Sequence, residues 1–234
     1  MKVSILKYDP TVDSSPHYEE YEVEWRKDMT LLEVLVAVDE SYEPLSHDYS
    51  CRGRVCGRCS MMLNGEPVNA CWTVVEDEPL TIEPLEGFPV VRDLVVNKNR
   101  QLEQIRHIDR RTWVNPETDR AVIMADIDPT LGKTINGLER CARCLCCLAS
   151  CPALKIDGSD YIGPAGMVAL AYRHFDPYDQ GDRVLEAVSH SMYNCILCGK
   201  CDEVCPADEI DHLGLYKALR DEAESRGLKP NDAK

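Results

Sequence analysis

Residues 51–59 read Cys51-Arg52-Gly53-Arg54-Val55-Cys56-Gly57-Arg58-Cys59, and Cys71 follows. This is the C-x₄-C-x₂-C…C spacing with which plant-type ferredoxins hold a [2Fe–2S] cluster. Two further runs lie downstream: Cys141, Cys144, Cys147 and Cys151 before Pro152, and Cys195, Cys198, Cys201 and Cys205 before Pro206. Both have the bacterial C-x₂-C-x₂-C-x₃-C-P spacing of [4Fe–4S] sites. The three runs use every one of the thirteen cysteines except Cys146, and they imply a chain built to carry electrons.

Thiolate is the soft donor that iron–sulfur units require, and four per cluster is the usual number. Intervals of three residues let one tight loop wrap three corners of a cubane, and in two-cluster ferredoxins the last cysteine of each run ligates the other cluster. The expected sets are therefore Cys51, Cys56, Cys59 and Cys71 for [2Fe–2S]; Cys141, Cys144, Cys147 and Cys205 for one [4Fe–4S]; and Cys151, Cys195, Cys198 and Cys201 for a second. Pro152 and Pro206 turn the chain away after each crossing ligand, since neither continues a helix. Gly53 and Gly57 are expected to give the first loop positive φ and close backbone approach. Arg52, Arg54 and Arg58 place positive charge beside an anionic cluster, either to hydrogen-bond it or to face a partner. Zinc also binds CxxC pairs, but a four-ligand zinc site does not explain two matching runs. Cys146, between two ligands, reads as a buried inert thiol. The histidines lack HxxxH or HExxH spacing and read as surface or core residues.

Around these runs the pattern is α+β. Val3, Ile5 and Tyr8 lie in one strand-like stretch, and Tyr21, Val23 and Trp25 alternate with glutamates in a second. Thr30 and Glu33 form a capping-box signature for a helix whose apolar face is Leu31, Leu32, Leu35 and Val38. Asn64-Gly65 suits a tight hairpin turn between Met61–Leu63 and Val68–Ala70, so that Cys71 returns on a strand. Leu80–Glu83 adds a strand, which completes a β-grasp outline. From Val90 strand signals fade, and Leu94, Val95, Leu102, Ile105 and Ile108 recur at helical spacing. Further helices are expected over residues 164–175, from Asp182 to about His190, and from Ala207 or Asp208 to Ala223. The expected organisation is a β-grasp, plant-type ferredoxin-like domain over residues 1–98, followed by an all-α, α-helical ferredoxin domain over residues 99–234.

The formal charge of −15 makes nucleic acid a poor partner. The amino terminus lacks a signal-peptide apolar region and no stretch is apolar enough to span a bilayer, so a reducing cytoplasmic setting is expected, with membrane association only through a partner.

The chain resembles the iron–sulfur subunits of the succinate dehydrogenase/fumarate reductase family over nearly its whole length. The resemblance rests on SCRGRVCGRC at residues 50–59, Asn64-Gly65, Ala70-Cys71, RDLVVN at residues 92–97, IGPAG at residues 162–166 and AYR at residues 171–173. It implies a β-grasp ferredoxin domain before a helical one. It also implies electron transfer between an FAD-bearing flavoprotein subunit, where succinate and fumarate interconvert, and a membrane-anchor or cysteine-rich acceptor subunit. The complex would lie on the inner face of the membrane through its partners, with quinone reached through the anchor. No catalytic residue is expected on this chain. Common members carry a non-cysteine residue at the position of Cys198 and hold [3Fe–4S] there; Cys198 implies a second [4Fe–4S] instead, as in members with heterodisulfide-reductase-like partners. Ubiquinone-reducing members carry tryptophans after the first Cys-Pro and a histidine after the first cysteine of the last run, where this chain has Leu154-Lys155-Ile156 and Ile196. The alternatives are a subunit of a thiol-linked fumarate reductase or other unsaturated-acid reductase, and a free ferredoxin-like carrier.

Overall fold

Alternation at the amino terminus produces an edge-on stack of apolar side chains: β1 (Lys2–Lys7) points Val3 and Ile5 inward, at 1% and 0% exposure. The computed structural model describes residues 1–112, 129–156 and 159–231. β2 (His17–Glu22) pairs antiparallel with β1, with Val3 opposite Tyr21. The second strand ends three residues earlier than the alternation suggests, because Trp25 leaves the ladder and its indole N–H donates to the Val75 carbonyl at 2.9 Å. β3 (Ser60–Leu63), β4 (Glu66–Asn69) and β5 (Leu80–Glu83) complete a five-stranded sheet in the order β2-β1-β5-β3-β4. Only the β1–β5 pair within it is parallel. Asn64 and Gly65 turn between β3 and β4 with φ of 50° and 84°, as a type I′ hairpin requires.

α1 (Leu31–Ser41) starts where its capping box closes. The Glu33 N–H donates to Thr30 Oγ1 at 3.3 Å, and the Thr30 N–H donates to Glu33 Oε2 at 2.8 Å. Leu31, Leu32, Val34, Leu35 and Val38 then join the sheet's inner residues in one apolar core. Thr30→Ala is expected to destabilise this helix end by about 1 kcal/mol, so that the amides of the first turn exchange about fivefold faster in hydrogen-exchange measurements on the holoprotein.

Three local expectations fail for identifiable reasons. Cys71 lies in a turn and not on a strand, because β4 ends at Asn69 and the Asn69 carbonyl accepts from Trp72 N–H and Thr73 N–H at 2.9 and 3.1 Å. Leu94 and Val95 are not helical: they belong to a hairpin of β6 (Val90–Arg92) and β7 (Val95–Val96). Buried Asp93 fixes that turn by accepting from the Tyr8 and Ser46 N–H groups at 3.1 and 2.9 Å. The helix begins only at Asn99, as α2 (Asn99–Ile108). The last helix starts at His212 and not at residue 207, since Asp211 is its cap and accepts from the Gly214 N–H at 2.7 Å.

The chain divides into two compact units: Met1–Arg100 with Ala142–Ser150, and Gln101–Cys141 with Cys151–Lys234. The first is the sheet unit just described, and it includes α4 (Cys146–Ala149). The second is helical, with α2, α3 (Pro129–Glu139), α5 (Pro164–His174), α6 (Arg183–Ser189), α7 (Lys200–Glu203) and α8 (His212–Ser225). Leu170 and Met167 of α5 and Leu219 and Tyr216 of α8 are completely enclosed. Arginines tie the end of α2 to the segment between α5 and α6. Arg173 donates to Asp109, and Arg183, 5% exposed, grips Asp179 through two nitrogens at 2.7 and 3.0 Å. Arg183 also donates to the carbonyls of Ile108 and Arg110 at 3.2 and 2.6 Å.

Candidate metal centres

The first loop gathers its donors by backbone geometry. Arg52, Arg54 and Gly57 take φ of 53°, 61° and 63°. Gly53 does not, so the left-handed turns expected of Gly53 and Gly57 fall at Gly57 and at two arginines. The result is a curl in which the N–H groups of Gly53, Val55 and Cys56 all point at Cys51 Sγ, at 3.4, 3.3 and 3.3 Å. These donors lower the Cys51 thiol to a pKa of about 6. The Cys56 thiol bonds Cys51, and Cys71 bonds Cys59. The structure thus pairs Cys51 with Cys56 and Cys59 with Cys71, and the charge of Cys56 also acts on Cys59. Burial pushes Cys59 up to about 12. A thiolate there needs a bound cation to offset its desolvation, which is what a metal centre supplies.

Each arginine of this loop has a partner away from the sulfurs. Arg52 stacks on Tyr49, Arg54 stacks on exposed Trp72, and Arg58 Nε meets Asp48 Oδ1 at 2.9 Å.

The two C-x₂-C-x₂-C loops share a backbone signature that a letter pattern does not display. The residue before the second cysteine is left-handed in both, Arg143 at φ 53° and Leu197 at φ 55°, and so is the residue after it, Leu145 at 69° and Gly199 at 77°. Such alternation curls successive N–H groups inward into an anion-binding nest. In the third run the Leu197 N–H points at Cys195 Sγ at 3.4 Å, as Gly53 does at Cys51.

Cys151, Cys195, Cys198 and Cys201 all lie in the helical unit, near enough for their charges to act on one another. Cys151 is raised by burial first and then by its neighbours Cys195 and Cys198, while burial pushes Cys201 up to about 12, with Cys195 adding to it. Two tyrosines that sequence reasoning missed stand beside this set. Tyr161 and Tyr216 bond hydroxyl to hydroxyl, and Tyr161 also bonds Cys195. Burial raises both phenols, so they act as neutral donors. Only Tyr161 carried a sequence clue, as the residue preceding IGPAG.

Of the remaining set, Cys144 and Cys147 sit in the sheet unit, Cys141 follows α3 and donates its N–H to Leu138 O at 3.2 Å, and Cys205 follows α7. Cys146 is 0% exposed. Its thiol bonds the Cys144 sulfur, which lowers Cys144 to about 7, and lies 3.9 Å from Asn69 Oδ1. Cys201, Asp202 and His212 bring three ligand-type atoms within 4.8 Å of one another. His212 is occupied structurally there: its N–H and Nδ1 lie 2.7 and 3.1 Å from Asp202 Oδ1, and burial lowers its pKa.

The chain is similar to known proteins along most of its length. Residues 2–103 match the 2Fe-2S iron-sulfur cluster binding domain family, and residues 137–208 match the 4Fe-4S dicluster domain family. The chain is 32% identical to the fumarate reductase iron-sulfur subunit of Wolinella succinogenes, over 88% of this chain and 90% of that one. It is also 32% identical, along its full length, to one subunit of the fumarate reductase (CoM/CoB) of Methanothermobacter marburgensis, but it spans 46% of that subunit's length. A chain of the solved Mycobacterium smegmatis Sdh1 complex in the apo form has the same fold, with a TM-score of 0.82 at 24% identity and 98% of each chain covered.

Proposed function

Because the chain belongs to the family of fumarate reductase and succinate dehydrogenase iron–sulfur subunits, and is an electron-transfer subunit of that type, we propose that it carries single electrons through one [2Fe–2S] and two [4Fe–4S] clusters. The ligand sets proposed are Cys51, Cys56, Cys59 and Cys71; Cys141, Cys144, Cys147 and Cys205; and Cys151, Cys195, Cys198 and Cys201. What supports the reading is the third set, where Cys198 stands at the fourth position of the sequence pattern and, like Cys195, acts on the Cys151 thiol to raise its pKa. When bound, the clusters supply one-electron redox levels in series; the chain supplies thiolates, inward N–H groups and burial. One end of the path would dock an FAD subunit that interconverts succinate and fumarate. The other would dock a membrane-anchor or cysteine-rich acceptor subunit, placing the complex on the inner face of the membrane. Among the described residues no helix is long and apolar enough to cross a membrane.

One observation favours a thiol-linked fumarate reductase as the variant of this reading. The M. marburgensis relative is named for the thiols CoM and CoB. In this chain the stretch where quinone-reducing members carry tryptophans reads Leu154-Lys155-Ile156, and Ile196 stands at their histidine position; Ile156 and Ile196 are both exposed.

The test is iron and spin counting on anaerobically purified complex. About ten iron atoms per polypeptide are expected from the three clusters, with no [3Fe–4S] EPR signal in the oxidised state. A stoichiometric [3Fe–4S] signal that survives anaerobic repair with iron would remove the second [4Fe–4S]. Assays of the same complex with succinate, fumarate and thiol donors decide the flavin partner's substrate.

A further inference from the structure

The ammonium group of Lys98 spends all three of its protons inside the sheet unit, on the carbonyls of Gly57 and Arg58 at 3.2 Å each and on Ser60 Oγ at 2.5 Å. Ser60, 3% exposed, donates its own proton to the Cys144 carbonyl at 2.8 Å. The hydrogen-bonded chain therefore runs from the loop that carries Cys56 and Cys59, through one charged side chain and one hydroxyl, to the loop that carries Cys144 and Cys147. At the same place the backbones touch: a Cβ on Gly57 would lie 2.4 Å from Ala142 O. Burial works against the Lys98 charge, while the thiols of Cys146, Cys144 and Cys59 and the Asp48 carboxylate work for it. That carboxylate is already held by Arg58 at 2.9 Å.

We propose that Lys98 and Ser60 form a charged bridge between the [2Fe–2S] loop and the first [4Fe–4S] loop, and that this one cation holds up the reduction potentials of both centres together. The inference rests on the cluster assignment above. Lys98 is a positioning residue, and it touches neither substrate nor iron. Each centre gains one negative charge on reduction. A fixed positive charge beside both favours the two reduced forms over the oxidised ones, and least-screened charges in a buried setting act most strongly.

The experiment is an EPR-monitored redox titration of the purified complex carrying Lys98→Met, Lys98→Arg or Ser60→Ala. For Lys98→Met the [2Fe–2S] and first [4Fe–4S] potentials should both fall. At fixed ambient potential the reduced-to-oxidised ratio of [2Fe–2S] should drop at least tenfold, about 59 mV for one electron. The second [4Fe–4S] should not move. Lys98→Arg keeps charge and donors and should stay near wild type, and Ser60→Ala, which breaks the bridge but keeps the charge, should shift the potentials less than Lys98→Met does. Full-intensity signals at unchanged potentials in Lys98→Met would overturn the proposal, as would an equal shift of all three centres. Should Lys98→Met fail to assemble, a Lys98→Arg complex with potentials as low as those of an uncharged Lys98→Gln complex would overturn it equally. A wild-type complex lacking these signals would instead remove the cluster assignment itself.

Discussion

Gly57→Ala should yield a protein that has lost most of its [2Fe–2S] spin signal and is destabilised by roughly 2–5 kcal/mol, from left-handed strain of about 1–2 kcal/mol and overpacking of about 1–3 kcal/mol. The position combines two demands. Its φ is +63°, which costs any residue with a Cβ, and that Cβ would lie 2.4 Å from Ala142 O, 2.7 Å from Cys144 N and 2.8 Å from Cys144 Cα. All three neighbours are backbone, so no rotamer change relieves the overlap; the two cysteine loops must part. Gly65→Ala is the control, because Gly65 has φ +84° but nothing within 4 Å of its added Cβ. Double integration of the reduced [2Fe–2S] EPR signal against protein concentration measures the difference. Equal, small losses in both variants would show that the close approach at Gly57 is unimportant.

Arg183→Met should cost about 3–5 kcal/mol, the usual consequence of removing one member of a buried ion pair. For a chain of this size that lowers the melting temperature by on the order of 10 °C, followed as bleaching of cluster absorbance under anaerobic conditions. Asp179 is 1% exposed at its side chain and would keep only the N–H groups of Thr112 and Gly181, at 3.0 and 2.8 Å. Burial alone would raise the Asp179 pKa, but Arg183 and those N–H groups outweigh it and leave it lowered. In the native protein this carboxylate therefore contributes stability above its unfolded pKa, and that contribution disappears as pH falls through the lower folded value. Without Arg183 the burial effect is opposed only by the Thr112 and Gly181 N–H groups, and the pKa rises. The gap between variant and native protein should then be widest near neutrality and narrow with acidification, as a protonated Asp179 tolerates its site. Arg183→Met with Asp179→Asn should recover part of the loss at neutral pH. A gap that stays constant with pH would mean that Arg183 acts by packing its stem alone.

Local chemistry left legible marks in this sequence, and long-range chemistry did not. Thr30 with Glu33 announced α1, Asn64-Gly65 announced the β3–β4 hairpin, and cysteine spacing nominated three sulfur donors for each centre, because each of these depends on atoms a few residues apart. The β6–β7 hairpin escaped since it is fixed by Asp93 reaching Tyr8 and Ser46, which are far away in the chain. Apolar residues at helical intervals were outweighed there by the bonding demand of one buried carboxylate. Lys98 and Tyr216 escaped for the same reason: a lone lysine or tyrosine has no period, and its importance lies in what folding sets beside it. Left-handed Arg52, Arg54, Arg143 and Leu197 were also hidden, since the residue type argues against the conformation that the curl around the sulfurs imposes.

The packing of Ala142–Ser150 with the first hundred residues has a consequence for biosynthesis. A nascent chain that has emerged as far as Arg100 holds every strand of the sheet, yet Gly57 faces no Cys144 backbone and Ser60 has no carbonyl from that segment to bond. Translation must proceed past Ser150 before this unit can close. Under the proposed ligand assignment, iron delivered to Cys51, Cys56, Cys59 and Cys71 ahead of that moment would meet a loop that is still open to solvent on its inner side.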